Sequence, residues 1–154
     1  MPAIASWGTT LKYGASGTGC TYTGTPATLV GNVLSLNVDG ISLTTIDVTT
    51  LSDRFRKFVG GLVDSGTLSL EVNLDTDTGS NQTTLYDDLD STLTGANTCR
   101  AFLLEFGEAT NNKGTTVQCA GYVTQFSARA GLDSSVTASI TIKLNGSVAI
   151  ADVA

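Results

Sequence analysis

Hydrophobic and polar residues alternate with a period of two along two stretches of the chain, residues 67–74 and 136–144. Leucine, isoleucine, valine and alanine fill one set of alternate positions in both stretches. The intervening positions are polar and include Ser69, Glu71, Asn73, Ser139, Thr141 and Lys143. Because successive side chains of a strand point to opposite faces of a sheet, both stretches predict β-strands with one buried and one solvated face.

Five further segments predict strands, because they favour strand-forming residues and are separated by Gly, Asn and Asp. They span residues 9–13, 29–38, 43–48, 98–106 and 115–128. About seven strands, with no internal repeat and no long linker, predict a mainly β fold in a single domain over residues 1–154. We expect a β-sandwich or partly closed barrel of two packed antiparallel sheets.

One helix is predicted between the strands, over residues 80–94. Leucines recur there at every fourth position, at Leu85, Leu89 and Leu93, which is the spacing of one helix face. Ser80 or Asn81 can cap its start and Gly95 can end it. We expect the leucines to pack against a sheet, so that the helix flanks it. The acidic residues of this segment are expected to face water: Asp87, Asp88 and Asp90.

Charge is sparse and acidic. Only 14% of the residues are charged, whereas Thr and Ser make up about a quarter of the chain, and the formal net charge is −6. The cations are scattered except for Arg54, Arg56 and Lys57. A surface that grips phosphates needs clustered cations, so tight nucleic-acid binding is not expected.

The location of the protein follows from what the sequence lacks. No apolar run approaches the ~18 residues that cross a bilayer, and the N-terminus lacks the features of a signal peptide, so we expect no membrane partner and a protein kept in a cytoplasm. Cys20, Cys99 and Cys119 are odd in number and lack CxxC spacing. We therefore expect reduced, packed thiols and neither a disulfide nor a metal site.

Catalytic chemistry finds little support in the chain. There is no histidine, which removes the usual general base and the commonest metal ligand. The glycine-rich residues 14–19 lack the helix and Lys-Ser/Thr ending of a phosphate-binding loop, and residues 75–79 only begin like a calcium loop. We expect a non-enzymatic protein without cofactors.

Cations and aromatic residues alternate in the segment Arg54, Phe55, Arg56, Lys57 and Phe58. An ordinary surface loop would account for this pattern. Interfaces between proteins, however, are enriched in Arg and aromatic side chains. The interface interpretation is narrowly favoured on this chemistry alone.

Several stretches of the chain, taken in order, resemble the major tail tube proteins of long-tailed, non-contractile phages. They are IDVTT at residues 46–50, RFRKFVGGLVDSG at 54–66 and TLSLEVN at 67–73, with GTTLKYG at 8–14, GYVTQF at 121–126 and ITIKLNG at 140–146. The similarity spans nearly the whole chain. Each piece is short, and their order and spacing carry the resemblance.

This resemblance implies a sandwich-like tail tube fold in which hexameric rings join their inner sheets into a barrel and stack into a tube. It implies a flexible N-terminal arm and a long loop at about residues 49–66 that touches the neighbouring ring through Arg54 to Phe58. The implied lumen-facing residues are Ser69, Glu71, Asn73, Ser139 and Thr141. The implied partners are further copies of the chain, a tape measure protein, tail terminator and tail tip proteins, and DNA in transit, in a virion tail assembled in the host cytoplasm.

Two alternatives stay open at this stage. A tube subunit of a contractile tail or of a secretion needle would share the fold and differ by pairing with a sheath. A β-sandwich binding module belongs to a different class. The single Trp7 near the N-terminus argues against a carbohydrate-binding platform, which usually presents exposed aromatic residues.

Overall fold

The computed structural model describes residues 8–75, 77, 80–89, 98–108 and 113–152. Residues 1–7, where the expected N-terminal arm would begin, lie outside this part of the chain. The described residues form nine strands and one helix. In chain order these are β1 (Thr10–Ala15), β2 (Thr28–Leu29), β3 (Val33–Asp39), β4 (Ser42–Asp47), β5 (Phe58–Asp64), β6 (Thr67–Asn73), α1 (Gln82–Leu89), β7 (Cys99–Glu108), β8 (Lys113–Arg129) and β9 (Thr137–Asp152).

The strands form two antiparallel sheets. Seven strands follow the order β2-β1-β7-β8-β9-β6-β3, and β4 pairs with β5 alone. The long strands β8 and β9 belong to both halves of the large sheet, because β8 pairs with β7 over residues 113–122 and only with β9 beyond them. We call β3, β6, residues 137–143 of β9 and residues 123–129 of β8 layer A. Layer B contains β2, β1, β7, residues 113–122 of β8 and residues 144–152 of β9.

One hydrophobic core lies between the two layers. Leu11 of β1 and Leu68 of β6 come from nearly opposite ends of the strand order, yet both belong to this core and are fully buried. The large sheet must therefore fold over so that one face of layer A meets one face of layer B. Bulges in the pairing of β8 with β9, between Gln118 and Ala120 and between Val123 and Gln125, lie where the layers diverge.

The fold class predicted from the sequence is confirmed. The described part of the chain is mostly β, with two antiparallel sheets and one helix, and its strands do not close into a barrel. Three strand predictions were wrong. The segment predicted as one strand over residues 29–38 is interrupted between β2, which ends at Leu29, and β3, which begins at Val33. The segment 58–64 is β5 rather than part of a loop, and β9 continues past Asn145 and Gly146 to Asp152. Paired glycines in β5 and an Asn-Gly step in β9 are turn signals, which cross-strand pairing overrides here.

Helix α1 packs against the core side of layer A. Leu85 is fully buried and Leu89 is half-buried against the core, whereas Leu93 and Asp90 lie outside the described residues. The ring of Tyr86 meets Phe126 of β8 edge-on, with centroids 5.4 Å apart. The helix thus covers part of the face of layer A that carries its apolar residues.

The expectation that Asp88 faces water was wrong. Its side chain is buried and accepts two hydrogen bonds from Arg100, at 2.7 Å from Nε and 2.8 Å from the second guanidinium nitrogen. Asp88 follows Leu85 by three positions, so both residues share one helix face. The bidentate ion pair supplies the charge compensation that a buried carboxylate needs.

Candidate functional site

The polar residues of β6 and β9 form one continuous surface on layer A. Ser69 lies directly opposite Thr141, Glu71 opposite Ser139 and Asn73 opposite Thr137. Directly paired residues of antiparallel strands project from the same face, and here the neighbouring positions, such as Ile140, are buried in the core. The structure therefore brings together all five residues predicted to line a lumen, on the face opposite the core.

The polar surface extends over two further strands that sequence reasoning did not include. On β3, Ser35 pairs with Glu71 and Asn37 pairs with Ser69. On β8, Gln125 pairs with Thr141 and Ser127 pairs with Ser139. The signal was present as alternation of polar residues with Leu36 and Val38 in β3 and with Phe126 in β8, but the pairing order of the strands was needed to join them. We call this four-stranded surface the polar face.

Charges are few on the polar face and lie mostly at its ends. Glu71 stands in the middle among hydroxyl side chains. At one end, Lys143 donates a hydrogen bond to Asp64 at 2.8 Å. This bond, with another from the backbone N–H of Gly66, lowers the pKa of the Asp64 carboxyl. The polar face as a whole is rich in hydroxyl groups and poor in cations, so it offers few groups that could bind a polyanion.

The hairpin of β4 and β5 differs in its packing from the strands of the large sheet that line the core. None of its residues belongs to the core, and large apolar side chains are exposed along it and its connection. These are Leu43, Ile46, Val48, Leu51, Phe55, Phe58, Val59, Leu62 and Val63. An isolated two-stranded hairpin is only marginally stable in water, so this one is suited to burial by another molecule.

The predicted contact segment, residues 54–58, lies at the tip of this hairpin and at the start of its second strand, β5. Arg54, Phe55 and Arg56 are exposed on the connection between the strands, and Phe58 opens β5. Among the described residues, neither Arg54 nor Arg56 has an ion-pair partner, whereas Lys57 pairs with Asp53. The structure thus leaves two of the three predicted cations available for contact with another molecule.

The hairpin tip is ordered by short polar contacts. The Thr50 backbone N–H and hydroxyl both donate to the carboxylate of Asp53, at 2.9 and 2.8 Å. Together with the ammonium group of Lys57, which contributes most, they lower the pKa of Asp53. The hydroxyl and backbone N–H of Thr49 lower the pKa of Asp47 in the same way. The tip therefore presents its cations and aromatic residues from a defined turn.

Two glycines set the direction of the hairpin. Gly40 and Gly66 have φ of +79° and +80°, which strongly favours glycine, and they lie where β3 runs into β4 and β5 into β6. A Cβ at Gly66 would lie 2.0 Å from the carbonyl oxygen of Asp39. At this point the chain leaves the large sheet, so that β4 and β5 pair only with each other and not with β9.

A groove opens where β5 diverges from β9. It has a volume of about 770 Å³, and its walls are residues 62–65 of β5 and its exit on one side and residues 144–148 of β9 on the other. Ser65 closes the inner end, because its hydroxyl donates to the carbonyl of Gly146, and the backbone N–H of Leu144 donates to Gly66. We call this groove the fork. Its lining combines apolar side chains with backbone along the edge of β9.

The cysteine prediction was wrong for two of the three residues. Cys20 and Cys99 form a disulfide that ties the β1–β2 connection to the start of β7. Spacing along the sequence did not reveal it, because 79 positions separate residues that the fold brings to a Cα distance of 5.6 Å. Cys119 is a buried free thiol as expected, and burial raises its pKa to about 12.

Sites of other kinds find no support in the described part of the chain. No group of three or more His, Cys, Asp or Glu side chains there is arranged to hold a metal ion. None of its helices is long and apolar enough to cross a membrane. The polar face, the hairpin and the fork are therefore the candidate functional surfaces.

A family model described as phage tail tube, TTP, lambda-like matches residues 7–99, which is more than half of the chain. Solved structures share the fold. The sheath–tube complex of the PVC extracellular contractile injection system has a TM-score of 0.72 at 13% identity, with 97% of this chain and 92% of that chain covered.

Two further solved structures are similar over most of the chain. The tail of an empty gene transfer agent particle, which has six-fold symmetry, gives a TM-score of 0.60 at 15% identity, covering 92% of this chain and 95% of the other. The SPP1 tail tube gives 0.61 at 14% identity, covering 94% and 77%. No protein of curated function matches the sequence.

Proposed function

We propose, since the chain belongs to the lambda-like phage tail tube family, that it forms hexameric rings that stack into the tube of a non-contractile tail and let DNA pass at ejection. As a member of this family it is a structural component of the virion tail and not an enzyme. We take the chain to form a single tail tube domain. The observation that carries the proposal is a neutral, hydroxyl-rich sheet face with a free strand edge on each side.

The free edges of layer A support ring formation. Among the described residues, β3 pairs only with β6, and residues 124–129 of β8 pair only with β9. Exposed strand edges invite pairing with another chain. If β3 of one subunit pairs with the second half of β8 in the next, the layers join into a continuous barrel and no edge remains.

The dimensions of such a ring fit a conduit. Six subunits per ring would match the six-fold symmetry of the gene transfer agent tail. In a hexamer with four strands per subunit, about 24 strands at a spacing of about 4.8 Å give a circumference of about 115 Å, and strand tilt widens it further. The polar face then lines the bore, while α1 and layer B lie outside it.

The composition of the polar face supports passage of DNA. Cations along the bore would hold the phosphate backbone and slow its exit. Here Lys143 is paired with Asp64 at one end of the face, Arg129 lies at the other end, and Glu71 is the charge at its centre. We propose that Ser69, Glu71, Asn73, Ser139 and Thr141 face the lumen, and that the tape measure protein occupies the same bore during assembly in the host cytoplasm.

The hairpin supports stacking of rings. Its exposed apolar residues and the cations Arg54 and Arg56 lie beyond the end of layer A, so we propose that residues 54–58 contact the neighbouring ring. Tail terminator and tail tip proteins would take the place of a ring at the two ends of the tube. Each would meet a surface that another copy of the chain otherwise covers.

Electron microscopy of the purified protein tests the proposal. We expect rings or tubes with six-fold symmetry and a central hole. Dispersed monomers at high concentration would contradict it.

Cysteine cross-linking tests the edge pairing directly. One new cysteine is placed on β3, at Ser35 or Asn37, and one on β8, at Gln125 or Ser127. At least one of these four combinations should give a ladder of covalent oligomers up to a hexamer. A matched control joins Leu29→Cys on the opposite sheet edge with Ser127→Cys and should give none.

A tube subunit of a contractile system is the second candidate, favoured by the TM-score of 0.72 to the PVC sheath–tube complex. The two candidates differ in whether a sheath binds the outside of the tube. Co-expression with the neighbouring genes of the locus separates them, since a sheath would copurify as an outer layer only in the contractile case.

A further inference from the structure

The fork is an apolar groove that the chain leaves open. Leu62 and Val63 stand on one wall and are 85% and 64% exposed, while Leu144 and Val148 stand on the other. Along this wall β9 pairs, among the described residues, with β8 on one side only, so the backbone edge facing the fork is open beyond Gly146. Its volume of about 770 Å³ is far larger than one side chain and suits a short segment of chain.

The β8–β9 turn presents a segment of that size. Leu132 stands at its tip and is 97% exposed, although nothing in the turn's own packing requires a large apolar residue there. The turn is fixed from below, because the Leu74 backbone N–H donates to Val136 and the Ser135 hydroxyl donates to Asn73. Asp133, next to Leu132, has φ of +61°, as a tight turn requires.

The strand register places the turn and the fork at opposite ends of layer A. Thr137, which follows the turn, pairs with Asn73 at the end of β6, whereas Lys143, which precedes the fork, pairs with Thr67 at its start. Strands of a closed barrel run along its axis with a tilt of about 35–45°. The two ends of layer A therefore become the two faces of a ring.

Rings that stack head to tail bring one such face against the other. We propose that the fork of one subunit receives the β8–β9 turn of a second copy in the next ring, with Leu132 seated between the walls of β5 and β9. This inference rests on the proposed function, because it requires stacked rings, and it names the receiving site that the stacking of rings uses. The contact is heterologous, so it propagates along the tube.

The chemistry of the two surfaces is complementary. Leu132 would exchange water for the apolar walls of the fork, which is the main source of free energy in such contacts. Arg129 and Asp133 flank the turn without ion-pair partners among the described residues, and Asp64 and Lys143 stand exposed at the fork. Asp64 and Lys143 are paired with each other at 2.8 Å, so Arg129 and Asp133 would extend this pair into a network of alternating charges across the proposed contact.

The first test is Leu132→Asp, with Leu132→Met as the matched control. Leu132 is almost fully exposed in the subunit, so both variants should fold and form rings. We expect the aspartate variant to need at least about tenfold more protein to form tubes, while the methionine variant behaves like the parent. Tubes of the aspartate variant at the parent's concentration would overturn the inference.

Cross-linking supplies the second test. Subunits with Leu132→Cys are mixed with subunits that carry Ser147→Cys in the fork, and a disulfide between them is expected in tubes but not in isolated rings. Ser127→Cys on the polar face serves as the control partner and should not cross-link to Leu132→Cys. Tubes in which Ser147→Cys instead cross-links to Leu51→Cys of the hairpin, or to no neighbour, would overturn this inference and leave the proposed function standing. An absence of tubes from the parent protein would overturn both.

Discussion

Layers A and B and the β4–β5 hairpin are built from the same kinds of strand but are stabilised in different ways. In layer A, Leu70 and Ile140 are paired across strands and buried in the core. In the hairpin, Ile46 and Val59 are paired across strands and more than half exposed. Cross-strand pairing alone is thus common to both regions, and only one of them has a second layer to pack against.

This difference separates the residues that fold the subunit from those that join subunits. Burial of apolar side chains in the core stabilises one chain by itself. The hairpin gains the same free energy only when another molecule covers it. Mutations in the two regions should therefore affect different measurements, stability for the first and assembly for the second.

The largest expected effect is loss of tubes on reversing two exposed cations of the hairpin, Arg54→Glu with Arg56→Glu. The substitutions remove two cations from the proposed ring interface and add two negative charges there, so tubes should no longer be seen by electron microscopy. The free energy of unfolding should change by no more than about 0.5 kcal/mol. Arg54→Lys with Arg56→Lys keeps the charge and should retain tubes. Normal polymerisation of the glutamate variant would show that the hairpin cations are not at the interface.

A matched pair of truncations compares the two regions directly. Ile140→Ala removes a fully buried side chain and should lower the free energy of unfolding by about 2–5 kcal/mol in urea denaturation. Leu62→Ala removes one that is 85% exposed and should lower it by less than about 0.5 kcal/mol. Equal losses at the two positions would mean that the hairpin packs on the core of its own subunit.

Removing the Cys20–Cys99 disulfide should act on the core region and not on the hairpin. The cross-link constrains the unfolded chain over a separation of 79 residues, and such bonds typically stabilise by about 2–4 kcal/mol. Thermal unfolding with and without reductant, compared with thermal unfolding of the double variant Cys20→Ser with Cys99→Ser, measures this stabilisation.

The free thiol supplies a separate measurement. Cys119, whose pKa burial raises to about 12, should resist alkylation at neutral pH until the chain unfolds. For the disulfide, identical melting curves with and without reductant would show that the Cys20–Cys99 bond does not form in solution.

The smallest expected effect on stability comes from Glu71→Lys on the polar face. Its side chain is exposed between hydroxyl residues, so rings and tubes should form as in the parent. If the face lines the bore, a ring of added cations should slow DNA release from virions and make that release salt-dependent. Glu71→Gln removes the charge without reversing it and should have a smaller effect. Unchanged release by the lysine variant would place Glu71 outside the bore.

Much of the fold followed from periodicity. The alternation in residues 67–74 and 136–144 identified β6 and the first half of β9, because burial of one sheet face imposes a period of two. The hairpin strand β5 shows no such alternation, because neither of its faces is buried in the subunit. Helix α1 was recognised from its leucines, but the buried Asp88 was missed, since a carboxylate on an apolar face becomes stable only through a distant partner, Arg100.

The sequence by itself determined the strand-rich composition, the polar positions of β6 and β9, and the cation-aromatic segment at residues 54–58, because each depends on residues close in the chain. Only the tertiary structure decided that four strands join into one polar face, that Cys20 meets Cys99, and that the fork and the β8–β9 turn lie at opposite ends of layer A. These features depend on which distant segments pair and on where the chain leaves the large sheet at Gly40 and Gly66. Strand order arises from packing of the whole chain, and local sequence patterns do not encode it.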